Sequence, residues 1–126
     1  ANNTVGTWLT AAGYHSAFIG KYVNGVESFI PQGWNFWGAF STSKGTYNYY
    51  NATPWNITFD RAGKTPTSPI VDVPMTGIHQ ADFVGAWGVD QMKVAEGMQA
   101  NPNGKSSKTA FQAVVISSIE AFEVCF

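Results

Sequence analysis

The chain has 126 residues, room for one domain, with 44% hydrophobic and 12% charged residues and a formal net charge of -1. That balance describes a globular protein with an unusually neutral surface and excludes a disordered chain. Without clustered Lys and Arg it lacks the footprint of a nucleic-acid or anionic-membrane binder, and its longest apolar runs, such as 113–116, are far too short to span a bilayer.

Residues 4–25, TVGTWLTAAGYHSAFIGKYVNG, organise the rest. Val5, Trp8, Leu9 and Ala12 fall at i, i+3, i+4 and i+7, which predicts an amphipathic helix. Asn2 or Asn3 can cap its first turn, and Gly13 is placed for the left-handed position after its end. Residues 14–19 are short and mostly apolar, as a buried strand would be. Gly20 and Lys21 follow where that strand should end. Open α/β sheets collect ligands outside the carboxyl ends of their strands, so a lysine there can point a fixed positive charge at an anion.

Residues 26–45 mix Gly, Pro, Ser and Asn with Phe29, Trp34, Phe36, Trp37 and Phe40. This predicts a long loop pinned by aromatic side chains, with Pro31-Gln32-Gly33 as its turn. Residues 47–59, alternating around 51–56 with Pro54 in the middle, predict a β-hairpin outside the main sheet. Residues 60–77 are rich in Pro, Thr, Gly and Ser and predict an irregular connection. A second helix is expected over 79–98, where Phe83, Val84, Trp87, Val94, Ala95 and Met98 make a stripe. Gly85, Gly88 and Gly97 each weaken it by about 1 kcal/mol relative to alanine. A polar turn over 101–108 leads to FQAVVI at 111–116, a β-branched run expected as a central parallel strand.

The sum is an α/β chain: an elaborated βαβ unit of a mainly parallel sheet with an inserted aromatic loop and hairpin. Two parallel strands and two helices leave both faces and edges of such a sheet wanting cover. No basic-then-apolar leader precedes the first helix. Residues 1–126 are therefore expected to be a piece of one larger domain, truncated at both ends.

GKYVNG, preceded by TVGTWLTAAGYHSAFI and followed by PQGWNFWGAF, resembles the middle of a sulfatase catalytic domain. The similarity is to the arylsulfatase and N-acetylglucosamine-6-sulfatase branch of the alkaline-phosphatase-like superfamily, and it is specific over 4–37 and weaker over 77–119. It implies an alkaline-phosphatase-like α/β fold and hydrolysis of sulfate esters through a formylglycine and a calcium ion. It also implies that Lys21 lies beside the sulfate and neutralises it, with Asn24 as a weaker candidate for substrate contact. Many sulfatases place a histidine two residues after this lysine; here the residue is Val23. The implied partner is a sulfated small molecule or glycan, together with the remainder of the chain's own catalytic domain.

The sequence also departs from that family. Where the family's strand ends in a stretch similar to SPxxPH, this chain reads SSIEAFEV, with Ser118 and Ala121 for the prolines and Phe122 for the histidine. Phenylalanine neither donates nor accepts a proton, so that role is lost. The Cys/Ser-x-Pro-x-Arg motif that yields formylglycine is missing, and Cys125 stands next to the last residue. Asp60, Asp72, Asp82 and Asp90 are scattered singly, whereas calcium wants roughly six to eight oxygen ligands. The expectation is that calcium serves the intact family member, that this chain alone binds no metal, and that alone it is inactive.

The remaining features carry less. His15 and His79 are each isolated and read as structural residues, since metals need several convergent ligands. His79-Gln80-Ala81-Asp82 is similar to a family pattern like YHQTD, though Asp82 is also well placed to favour a helix's first turn. A single cysteine allows no intrachain disulfide. The sequons at Asn2, Asn51 and Asn56 are candidate glycosylation sites and point to a secreted, secretory-pathway or lysosomal protein. The aromatic group Trp34, Phe36, Trp37, Tyr47, Tyr49, Tyr50 and Trp55 offers an alternative, a non-catalytic glycan-binding or decayed sulfatase-like module. Another alternative is a phosphodiesterase or phosphonate monoester hydrolase of the same superfamily.

Overall fold

The computed structural model describes residues 3–22, 29–40, 50, 53–99 and 112–117, with backbone alone at 98–99 and 112–117. In chain order the elements are α1 (Val5–Ala11), β1 (His15–Gly20), β2 (Phe36–Ala39), β3 (Trp55–Thr58), β4 (Val71–Asp72), α2 (Gln80–Gln99) and β5 (Gln112–Ser117). The strands make one sheet in the order β4-β3-β2-β1-β5. β1 pairs parallel with both β2 and β5, whereas β2–β3 and β3–β4 pair antiparallel. The α/β class and the β1–α2–β5 unit therefore stand as expected, but the described sheet is mixed and not mainly parallel, because the 53–72 segment pairs antiparallel on the β2 side.

Other expectations are corrected. The aromatic stretch at 26–45 is not all loop, because Phe36–Ala39 is a strand buried on both faces. Its aromatics serve both cores, so it shows no alternation of apolar and polar residues. Nor does the 47–59 segment lie outside the sheet: β3 sets Thr58 against Phe36 and Ile57 against Trp37. Pro54 is accommodated just before β3, bridged to Phe40, where a missing N–H costs no ladder bond within the strand. The connection at 60–77 contributes the two exposed residues of β4, a bridge from Pro66 to Phe59 and the buried Met75. Among the described strands β5 stands at an edge of the sheet, and β1 takes the central place expected of it.

Period-two alternation along β1 and β2 divides the interior. Ala17, Ile19 and Phe36 point to α2 and pack with Phe40, Met75 and Val84, flanked by Phe83 and Trp87. Phe18, Trp37 and Ala39 point to the other face and pack with Trp34 and Ile57, flanked by Val5 of α1. There Phe18 stacks on Trp37 at 4.7 Å between ring centroids and meets Trp34 edge-on at 5.7 Å. Such ring pairs add about 0.5–1.5 kcal/mol each beyond the area they bury.

α1 begins at Thr4, not at Asn2 or Asn3. The Thr4 hydroxyl accepts from the Thr7 N–H, and the Thr7 hydroxyl oxygen accepts from the Thr4 N–H, closing a capping box. It ends as expected at Gly13, φ 91°, with Gly13 N–H bonded to Thr10 O and Tyr14 N–H to Leu9 O. The buried face differs from the bulky stripe in the sequence. Trp8 is 61% exposed, its indole N–H donating to Asn3 Oδ1 at 2.7 Å, while the buried residue of the helix is Gly6. A Cβ at Gly6 would lie 2.7 Å from Trp34 Cε2, so this short helix docks through its backbone on an indole ring.

A buried polar network ties the turn at 32–33 to β1. Ser16 Oγ donates to Gly33 O at 2.7 Å, and Thr10 Oγ1 donates to the same oxygen at 2.6 Å. Asn35 Oδ1 accepts from Ser16 N–H at 2.9 Å, while Asn35 Nδ2 donates to Asp60 O at 2.8 Å. Asn35→Ala strands the buried Ser16 N–H, at a cost of about 1–3 kcal/mol, whereas the Asp60 carbonyl keeps the Gly63 N–H. Urea unfolding should show that loss. Gly38→Ala sets a methyl 2.6 Å from the Trp87 ring and is expected to cost about 1–3 kcal/mol by overpacking, read in the same titration.

Candidate anion site at the carboxyl end of the sheet

Three parallel strands end level with one another. Gly20 is in register with Ala39 on one side and Ser117 on the other. The Phe40 N–H donates to Gly20 O at 2.8 Å, so the pairing extends to the last residue of β1. Gly20 then turns out of the sheet at φ 121°, a backbone angle that residues with a Cβ rarely adopt. Lys21, half-buried, follows at once. Tyr22 folds back, its ring edge-on to Phe18 at 5.0 Å and to Trp37 at 5.1 Å. The lysine backbone is thereby pinned on both sides, by a strand before it and an aromatic clamp after it.

α2 runs antiparallel to β1. Its Gln91 reaches His15 at the start of the strand, whereas Val84 packs with Ile19 near the end. The first residues of α2 consequently lie toward the same end of the sheet as Lys21. His79 caps the helix: its Nδ1 accepts from the Ala81 N–H at 3.2 Å and its carbonyl accepts from the Asp82 and Phe83 N–H groups. Its ring meets Tyr50 edge-on at 5.1 Å. Asp82 occupies the first turn, where a carboxylate complements the helix dipole.

Of the residues singled out in the sequence, Lys21 is at this site. Asn24, Phe122, Asn2 and Asn51 lie outside the described residues. Asn56 sits half-buried on β3, paired with Val71 toward the edge of the sheet. Among the described residues no three His, Cys, Asp or Glu side chains converge to hold a metal. Asp60 is turned to its own loop, where the Lys64 N–H donates to Oδ1 at 2.9 Å and holds the carboxyl below its usual range. Asp82 and Asp90 stand exposed on α2, and Asp72 on β4. These carboxylates do not fit a calcium site. Trp34, Phe36 and Trp37 are buried in the two cores, which removes them from any exposed sugar-binding platform; Tyr50 is exposed, Trp55 half-buried, and Tyr47 and Tyr49 fall outside the described residues.

Sequence reasoning overlooked Gly20 as a backbone device and Ser16–Asn35 as a scaffold. The signal for the first was a glycine closing an apolar run immediately before the charge. For the second it was a small polar residue inside each of two largely apolar segments.

No family profile matches the chain, and no solved structure does. Two curated proteins are similar to part of it. One is the "Putative extracellular sulfatase Sulf-1 homolog" of Caenorhabditis elegans, 43% identical over 47 residues, which are 36% of this chain and 7% of that protein. The other is the "Extracellular sulfatase SULF-1 homolog" of Drosophila melanogaster, 43% identical over 44 residues, 34% of this chain and 4% of that protein. The matched segment thus spans a small fraction of either relative. The two matches support a relationship with the sulfatase family at the level of the family.

Gly20→Ala forces a side chain onto φ 121° and is expected to cost about 1–3 kcal/mol of stability. Thermal unfolding measures the loss, and loss of exchange protection at the Phe40 amide would place it at this strand end.

Proposed function

We propose that the chain is part of the catalytic domain of a sulfuric ester hydrolase, and that Lys21 is the fixed cation that neutralises its sulfate. The observation that carries this reading is the position of Gly20-Lys21, directly beyond the level ends of three parallel strands. An anion bound there would meet a point charge whose backbone is pinned by β1 and by the Tyr22 clamp, so little reorganisation is needed as charge develops on sulfur-bound oxygen. The partial likeness to two proteins named as extracellular sulfatases supports the same class and a secreted location.

The chemistry of the reading is sulfate-ester cleavage by a formylglycine hydrate attacking sulfur. In this proposal the nucleophile and the calcium come from residues other than those described, and Lys21 binds and orients the sulfate, with Asn24 as a neighbouring contact. The subfamily is that of arylsulfatases and N-acetylglucosamine-6-sulfatases, on the strength of GKYVNG and PQGW. The substrate is a sulfated glycan or small sulfate ester.

The test compares this chain with the longer protein encoded by its transcript, using a chromogenic aryl sulfate. The 126-residue chain should release no sulfate. The longer protein should turn over, and Lys21→Ala in it should lower kcat/KM by about 10²–10³-fold, the usual cost of removing one group that stabilises developing charge. Lys21→Arg should recover part of the loss. Full activity in Lys21→Ala, or a transcript without a Cys/Ser-x-Pro-x-Arg motif upstream, would overturn the proposal.

A further inference from the structure

β3 carries the sequon Asn56-Ile57-Thr58, and its pairing fixes which face each of these residues takes. Ile57 lies opposite Trp37, and both pack in the Phe18 cluster. Asn56 and Thr58 therefore fall on the other face of the sheet, the one that α2 covers. The same register runs on to the Phe40–Pro54 bridge and sets Gly38 opposite Asn56. On its other side Asn56 pairs with Val71 of β4. Gly38, Asn56 and Val71 thus make one row across the sheet.

The cover of α2 ends along this row. Over Gly38 stands the Trp87 ring, so close that a Cβ there would lie 2.6 Å from it. At the far end Val71 is 47% exposed, and Thr58 is exposed as well. Asn56 stands between them, half-buried, at the margin of helix and solvent. Asparagine is disfavoured in strands, and this one does no structural work there. Among the described residues no hydrogen bond engages its side chain, whereas Asn35 uses both ends of its amide inside the sheet.

We infer that Asn56 carries an N-linked glycan, whose first sugar lies over Val71. In the transfer, Asn56 Nδ2 bonds to the anomeric carbon of an oligosaccharide carried on a polyprenyl diphosphate. The bond from that carbon to the diphosphate oxygen breaks, the lipid diphosphate leaves, and Nδ2 gives up one of its two protons. This step precedes the pairing of β3, because a strand hydrogen-bonded on both edges cannot enter a transferase. The fold supplies room for the product: an amide at the rim, with exposed Thr58 on the same face and no side-chain bond to give up. The sheet gains from it. β4 is two residues long and stands at an edge among the described strands. A bulky polar group beside it covers apolar surface and hinders pairing with another chain. The site takes a secretory route from the proposal above and nothing from the anion site.

The full 126-residue chain, expressed in a eukaryotic cell behind a secretion signal, tests it. Asn2→Gln and Asn51→Gln leave Asn56 as the remaining sequon. Peptide:N-glycosidase F should remove glycan mass and convert Asn56 to aspartate, located by peptide mass spectrometry. Asn56→Gln and Thr58→Ala should each lose the glycan, and Thr58→Ser should keep it. Secreted and cell-retained chains are both measured, so a variant that fails to fold still gives an answer. With the glycan trimmed to one N-acetylglucosamine, the Val71 methyl resonances should shift selectively relative to Asn56→Gln. Unmodified Asn56 would overturn the site, and unmoved Val71 methyls would overturn the placement of the sugar.

Discussion

The parallel pairing of β1 on both its edges is the constraint on which the rest depends. A strand whose six residues are all buried has no face left for water, so each side must be met by a packed layer. β2 and β5 satisfy its backbone, α2 covers Ala17 and Ile19, and α1 with the Phe18–Trp34–Trp37 cluster covers the reverse. The chain leaves the layers just past Gly20, whose φ of 121° turns it out of the sheet. The position of Lys21 is a consequence of that geometry.

Burial on both faces also explains why polar residues inside the sheet come with dedicated partners. Ser16 and Asn35 answer one another and the backbone of Gly33 and Asp60; His15 answers Gln91. Trp34 and Trp37 are the exceptions, for their indole nitrogens are buried without a hydrogen-bond partner. The two rings are adjacent, 6.1 Å between centroids, in the most aromatic part of the molecule. There the gain from packing large rings against Phe18 and Tyr22 offsets two unmade bonds. The polar groups thus register the turn at 32–33 and the helix α2 against a strand that apolar contacts alone would let slide.

Much of this was legible in the residues, and the failures have physical causes. Gly13 announced the end of α1 and the β-branched run near 112–117 announced β5, because both signals are local. The stripe of α2 predicted its packing through Val84 and Ala95, although Val94 is largely exposed. β2 was hidden because a strand packed on both faces loses its alternation, and four residues between Trp34 and Phe40 look like a pinned loop. The docking face of α1 was legible only at Val5, because periodicity counts large residues and the closest contact is made by Gly6, which has no side chain. At the site, Lys21 was readable from the motif around it, whereas the level ends of β1, β2 and β5 needed the register between distant segments.

The account stands on an anion site at Gly20-Lys21, and inorganic sulfate tests that most directly. In a 15N NMR titration of the 126-residue chain, at constant ionic strength set with chloride, sulfate should shift the amides of Gly20, Lys21 and Tyr22 selectively and saturably. Lys21→Ala should abolish those shifts without altering the fold. Shifts that are diffuse, that chloride reproduces, or that persist unchanged in Lys21→Ala would contradict the placement of the site.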